Sequence, residues 1–191
     1  MLDHCYCFCM KDSLFTLAEA LLDNPSFPCP KEIREMLVVI EVPYFSFEGT
    51  RRQGQLVVHQ ELAEDIKYIF KALAEKQFPL SKVIPIAGKQ YEWDDERSMQ
   101  DDNTSCFNYR TIAGTDRISW HAYGRAIDIN PKRNPYIKNG VTSPKGALYD
   151  SSVPGTITSD SFVVTLFKER GFEWGGDWTD RKDYQHFEKH F

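Results

Sequence analysis

The stretch SWHAYGRAIDINP, Ser119 to Pro131, sets His121 and Asp128 seven positions apart among small and apolar residues. One imidazole and one carboxylate are too few to hold a catalytic metal, which takes three protein ligands and keeps one position open. If the stretch is half of a metal site, the missing ligand lies elsewhere in the chain. The other histidines are His4, His59, His186 and His190. The segment DYQHFEKH, Asp183 to His190, brings two of them together with Asp183 and Glu188.

Two pairings compete. In the first, His186 and His190 stand at i and i+4 of a helix and chelate a metal. That arrangement has Glu directly after the first His, whereas here Phe187 holds that place and Glu188 follows it. In the second, His121, Asp128 and His186 bind one Zn²⁺ through two imidazoles and a carboxylate, leaving the fourth position to water. Asp183 is then the general base: zinc lowers the pKa of its water to about 7, and a nearby carboxylate can take the proton and pass it to a leaving amine. The small residues fit this second pairing, because Gly124 and Ala126 permit a tight backbone path between His121 and Asp128. A purely structural zinc would need a fourth protein ligand, for which Glu188 or His190 is the nearby candidate.

The S-x-H-x-x-G-x-A-x-D pattern of SWHAYGRAID, with WGGDWTDRKDYQHFE (Trp174 to Glu188) as a second motif, resembles the VanY-like cell-wall peptidases. These are the zinc D-alanyl-D-alanine carboxypeptidases and L-alanyl-D-glutamate endopeptidases. The resemblance implies a hedgehog/DD-peptidase-like fold, a single Zn²⁺ on His121, Asp128 and His186, and Asp183 as the base. The segment SMQDDNTSCFNYR, Ser98 to Arg110, is similar to the family's upstream signature, which implies that Arg110 holds substrate and the developing oxyanion. The implied substrate is a peptidoglycan stem peptide or muropeptide, and with it a place of action in the cell envelope or outside the cell. The Asp at the base position and the WGGDW run lean toward endopeptidase or VanY-like action rather than a dipeptidase. A rival of another class is a zinc-stabilised wall-binding module of the same fold that performs no catalysis.

Other residues near these motifs have ordinary explanations. Ser119 either positions substrate or caps the turn that follows it. His59 and His190 read as structural or exposed histidines, and Trp174, Trp178, Tyr184 and Phe187 as groove-lining or core aromatics.

Composition narrows the classes further. The chain has 191 residues, 23 Lys plus Arg and 28 Asp plus Glu, for a net charge of -5. No basic field is present to hold a phosphate backbone, so nucleic acid is not an expected partner. The longest apolar runs, such as MLVVI (Met36 to Ile40), fall far short of the ~20 residues that cross a bilayer. The start, MLDHCYCFCMKDSLF, lacks the basic and apolar regions of a standard secretion signal. Cys5, Cys7 and Cys9 alternate beside His4, but structural zinc sites use paired C-x-x-C units, so no metal site is expected there.

Along the chain, residues 1–30 look like an N-terminal appendage, with a short helical pattern in DSLFTLAEALL (Asp12 to Leu22), and residues 31–191 like the zinc peptidase domain. MLVVIEVPYFSF (Met36 to Phe47) reads as a strand and EGTRRQGQ (Glu48 to Gln55) as the turn after it. Leu62, Ile66, Ile69, Phe70 and Leu73 recur at helical spacing in the segment from His59 to Gln77, which predicts an amphipathic helix. KVIPIAG (Lys82 to Gly88) reads as a short strand, and the polar stretch from Tyr91 to Arg110 as a long, ordered, site-forming loop. A second helix is expected near residues 159–172, capped by Ser159 or Asp160 and stopped at Gly171. Strands and helices interleave without a βαβ rhythm, which predicts an α+β fold with a mainly antiparallel sheet and flanking helices.

Overall fold

The computed structural model describes residues 10–22, 24 and 26–191. His4, Cys5, Cys7 and Cys9 lie outside the described residues. The fold is α+β, built from several small sheets and few helices rather than around one mainly antiparallel sheet. The first sheet has four strands: β1 (Met10–Lys11), β2 (Leu37–Ser46), β3 (Arg51–His59) and β4 (Pro79–Leu80), in the order β1-β3-β2-β4. The long β2–β3 hairpin is antiparallel, while β1 and β4 join its edges in parallel.

Strand β3 begins at Arg51, inside the segment expected to be a turn. The reversal needs only residues 47–50, closed by a hydrogen bond from the Ser46 amide to the Thr50 carbonyl and by Gly49 at a φ of 77°. From Ile40 onward β2 alternates, burying Ile40, Val42, Tyr44 and Ser46, as a strand with one face on a core must.

Between β1 and β2 in sequence stand two single-turn helices, α1 (Leu17–Ala20) and α2 (Lys31–Arg34). Helix α1 is much shorter than the pattern over residues 12–22 predicts; Thr16 and Glu19 form a capping box at its start. Ala20 packs with Leu37, Val57 and Phe107, so the described part of the N-terminal segment lies against the hairpin.

Helix α3 (Ala63–Glu75) lies on β2 and buries Ile66, Ile69, Phe70 and Leu73, the stripe expected from their spacing. Leu62 is buried too, in the tight turn that leads into the helix. The same core takes Val163, Val164 and Phe167 from helix α5 (Phe162–Lys168). The cap of α5 is Ser161, whose hydroxyl accepts from the Val164 amide, and not Ser159 or Asp160; the helix starts later because Asp160 instead accepts from the Thr158 hydroxyl.

Two further expectations change between residues 82 and 110. Only Lys82–Val83 is a strand (β5), because Ile84 onward turns to bury Ile84, Ile86 and Tyr91 in a small cluster of their own. The polar stretch after it is ordered, and it contains helix α4 (Asp95–Gln100), capped by Asp94, and strand β6 (Asn103–Thr104). Strands β5 and β6 pair in parallel.

The remaining strands are β7 (Ala126–Asp128), β8 (Tyr136–Lys138), β9 (Val141–Ser143), β10 (Glu173–Trp174), β11 (Lys182–Asp183) and β12 (His186–Glu188). They form two antiparallel sheets, β10-β12-β7 and β11-β8-β9. Phe187 turns inward from β12 and stacks on Phe167, with ring centroids 4.0 Å apart, which seats the β10-β12-β7 sheet on the core. Among the described residues no helix is long and apolar enough to cross a membrane.

Candidate metal centre

Three elements converge on one point. The first is a one-turn 3-10 helix, Trp120–Tyr123, capped by the Ser119 hydroxyl, which accepts from the His121 amide. It ends at Gly124, whose φ of 65° is left-handed and where a β-carbon would stand 2.6 Å from the His59 amide nitrogen. Glycine is required there twice over, by conformation and by space. The chain then reverses into β7, which carries Asp128, so the small residues in the motif do provide the tight path. The third element is β12, paired antiparallel to β7 with His186 directly opposite Asp128. His186 therefore lies in a strand, and the helical pairing of His186 with His190 does not form.

All three side chains are buried. His121 Nε2 lies 3.2 Å from Asp128 Oδ2, His186 Nδ1 lies 3.0 Å from Asp128 Oδ1, and the two ring nitrogens are 3.2 Å apart. Ligands at about 2.0–2.1 Å from a tetrahedral zinc stand roughly 3.3 Å from one another, so this spacing suits a small divalent ion. Each imidazole has an acceptor on its far nitrogen. His121 Nδ1 donates to the Cys106 carbonyl oxygen at 2.6 Å, and His186 Nε2 donates to Glu188 Oε2 at 2.8 Å. With those far nitrogens protonated, both inward nitrogens can offer lone pairs once a metal ion displaces the proton that His186 Nδ1 shares with Asp128. His121, Asp128 and His186 are thus a set able to hold one metal ion.

The charges are tightly balanced without an ion. Burial alone would raise the Asp128 carboxyl, but the two histidines beside it hold it well below the usual carboxylate range. Burial likewise works against a charged His186, yet hydrogen bonds to Asp128 and Glu188 raise it to about 10. A site that concentrates proton affinity on a buried histidine in this way is one that a divalent cation can take over.

Asp183, on β11, keeps part of its surface open while its Oδ1 is sealed from water and has no hydrogen-bond partner. Burial is the main cause that pushes its carboxyl up to about 7; the Asp128 charge adds to the shift and His186 opposes it. An unpartnered buried carboxylate oxygen is costly to keep, and a pKa near neutrality is what proton transfer demands.

Arg110 lies beside the same turn: its carbonyl accepts from the Ser119 amide, and the neighbouring Asn108 amide donates to the His121 carbonyl. Its guanidinium pairs with Asp95 at 2.9 Å, and its buried Nε has no partner. Asp95 also accepts from the Asn108 side chain. Nothing in the sequence singled out Asp95, because its connection to Arg110 requires α4 to fold back against residues 108–110.

The four motif aromatics divide. Trp174 and Phe187 are core residues. Tyr184 stacks on Tyr149 at 3.7 Å, and Trp178, half-buried, lies 5.4 Å from the His186 ring with the Arg181 guanidinium over its own ring at 4.2 Å. His59 is buried and accepts from Arg125 and from the Glu61 amide.

Comparison with known proteins points in one direction. A family model described as D-alanyl-D-alanine carboxypeptidase matches residues 113–189, a span that contains His121, Asp128, Asp183 and His186 but not Arg110. The chain is similar to the peptidoglycan L-alanyl-D-glutamate endopeptidase CwlK of Bacillus subtilis (strain 168), at 38% identity over 73 residues. That alignment covers 37% of this chain and 38% of the relative, so the match spans well under half of either protein. No solved structure matches significantly.

Proposed function

The likeness of residues 113–189 to the VanY-like peptidases is the premise from which we propose that this chain is a zinc peptidase hydrolysing an amide bond in peptidoglycan stem peptides. The observation that carries the proposal is the meeting of His121 Nε2, Asp128 and His186 Nδ1, all buried, near an Asp183 whose inner oxygen has no partner. The rival wall-binding module has no use for an unpaired buried carboxylate of raised pKa, whereas a hydrolase does.

The donor set suits zinc, which when bound supplies a Lewis acid that polarises a scissile carbonyl and acidifies water. Asp183 accepts the proton of the attacking water on its carboxylate, through the part of its surface that stays open, and returns it to the departing amine. Arg110, its Nε still unpaired, donates to the oxygen on which charge develops or to a substrate carboxylate. Ser119 fixes the His121 turn by capping it, which leaves its hydroxyl proton available to substrate. Trp178 forms an apolar wall beside His186 on which a peptide can lie.

The peptidase unit in this proposal covers residues 31–191, with residues 1–30 as an appendage. The name of the similar CwlK protein favours cleavage between L-alanine and D-glutamate over removal of a terminal D-alanine. Incubation of the zinc-loaded protein with defined muropeptides, followed by mass spectrometry of the products, tests both levels. Release of the fragment cut after L-alanine is expected. Terminal D-alanine release would change the specificity, and intact muropeptides would overturn the peptidase assignment.

A further inference from the structure

Glu188 sits between two imidazoles. Its Oε2 is 2.8 Å from His186 Nε2 and its Oε1 is 2.8 Å from His190 Nε2. The carboxylate is largely buried, with 13% of its side chain exposed. His190 in turn lies flat on Trp120, the residue before His121, with centroids 4.6 Å apart and planes inclined by 19°. The backbone that carries these groups is pinned as well. Buried Arg125, from the same motif as His121 and Asp128, donates through Nε to the Lys189 carbonyl and through Nη2 to the His190 carbonyl. The Lys189 amide donates back to the Arg125 carbonyl.

A neutral imidazole carries one N–H, and the acceptor it faces decides which nitrogen is left bare. For His121 the choice is made by the Cys106 carbonyl, a backbone group that no substitution removes. For His186 it is made by the Glu188 side chain. Without an acceptor at Nε2, the proton can move to Nδ1, where it would point at Asp128 and away from any role as a ligand.

We propose that Glu188 is the positioning residue of the metal centre: it holds the His186 proton on Nε2 so that Nδ1 is presented bare, while His190, stacked on Trp120, and Arg125 hold Glu188 in place. The inference rests on the zinc site proposed above and adds the group that orients one of its ligands. Carboxylates in this relation to a ligand histidine change metal affinity by roughly 10–100-fold when lost.

The test is zinc affinity, measured by competition with a chromogenic chelator on wild type, Glu188→Ala, Glu188→Gln and His190→Ala, with ¹⁵N NMR of the His186 ring. Glu188→Ala should bind zinc roughly 10–100-fold more weakly, and the resonance of its His186 Nε2–H should lose the shift that the hydrogen bond to Glu188 gives it in the wild type. Glu188→Gln, which keeps an acceptor oxygen, should recover most of the loss. His190→Ala should fall between wild type and Glu188→Ala, and keeps the assay informative if Glu188→Ala does not fold. Zinc affinity in Glu188→Ala within about twofold of wild type, or equal losses in the Ala and Gln variants, would overturn the proposal. Wild-type protein that takes up no zinc would instead refute the underlying metal site.

Discussion

Gly175 lies directly beneath Asp183: a β-carbon at Gly175 would stand 2.6 Å from the Asp183 carbonyl oxygen and 2.8 Å from its β-carbon. The first glycine of WGGDW is thus required by the close approach of the strand that carries Asp183, not by a turn. Gly175→Ala should displace Asp183 while leaving His121, Asp128 and His186 in place. Misplacement of a catalytic group by about 1 Å can cost on the order of 10²-fold in rate. The expected outcome is a kcat loss of that order with unchanged zinc stoichiometry, read by steady-state kinetics and metal analysis.

Removal of the proposed base separates enzyme from binding module. Asp183→Ala should lower kcat/KM for muropeptide hydrolysis by roughly 10²–10⁴-fold, with zinc content and wall binding preserved. A protein that only binds would show no functional change. In the wild type, the rate should fall on the acid side as Asp183 takes a proton. The carboxyl stands at about 7 without metal, and added positive charge nearby favours the ionised form. The acid limb of the zinc-loaded protein should therefore have its midpoint below 7, and this limb should be absent in Asp183→Ala.

Metal-free protein should lose stability as pH rises. His186 moves from its ordinary 6.5 to about 10, so the stability it contributes is fully present below 6.5 and is lost as pH climbs through 10. Asp183, raised from 3.8 to about 7, acts in the same sense: its contribution is complete below 3.8 and gone above 7. Thermal unfolding of the chelator-treated protein should show Tm falling between pH 6.5 and 10. His186→Ala should flatten that slope, and saturating zinc should raise Tm most at the alkaline end.

Asp95 should govern Arg110. Its carboxylate fixes the guanidinium on one side and Asn108 on the other. A hydrogen bond to a charged group contributes roughly 1.5–3 kcal/mol, which corresponds to about 10-fold or more in a binding constant. Asp95→Ala should raise KM by at least that factor with zinc affinity unaltered. A change confined to zinc affinity would show that Asp95 acts on the metal ligands and not on Arg110.

The clustering of His121, Asp128 and His186 and the apolar stripe of helix α3 were legible in the sequence, because each starts from a short-range rule. His121 and Asp128 share a compact motif, and Ile66, Ile69, Phe70 and Leu73 follow the helical period. The partners that orient the ligands were not, since they depend on tertiary contacts: the Cys106 carbonyl carries no side-chain signature, and Asp95 reaches Arg110 only through the fold of α4. Glu188 had a signal, because residues 186 and 188 of a strand share a face while Phe187 points to the core. The tail was legible as ending in a strand, but the strand alone does not say that the face shared by residues 186 and 188 carries a ligand and its partner. The short strands β5 and β6 were obscured for another reason: two-residue ladders fixed by the Asn103 side chain, which bonds both the amide and the carbonyl of Ile84, leave no periodic trace.

The pairing of β12 with β7 has one more consequence. His186 faces Asp128 and Phe187 faces Ile127, so the ladder presents the putting-together of the centre on one side and the core on the other. A slip of one residue would exchange every side chain between the two faces, setting Phe187 where the imidazole belongs. Only a chain closed in the correct register could hold the proposed ion, and the ion would in turn lock that register. Metal binding at the proposed centre would therefore also report on strand register, rewarding the one pairing of β12 with β7 that brings His186 to Asp128.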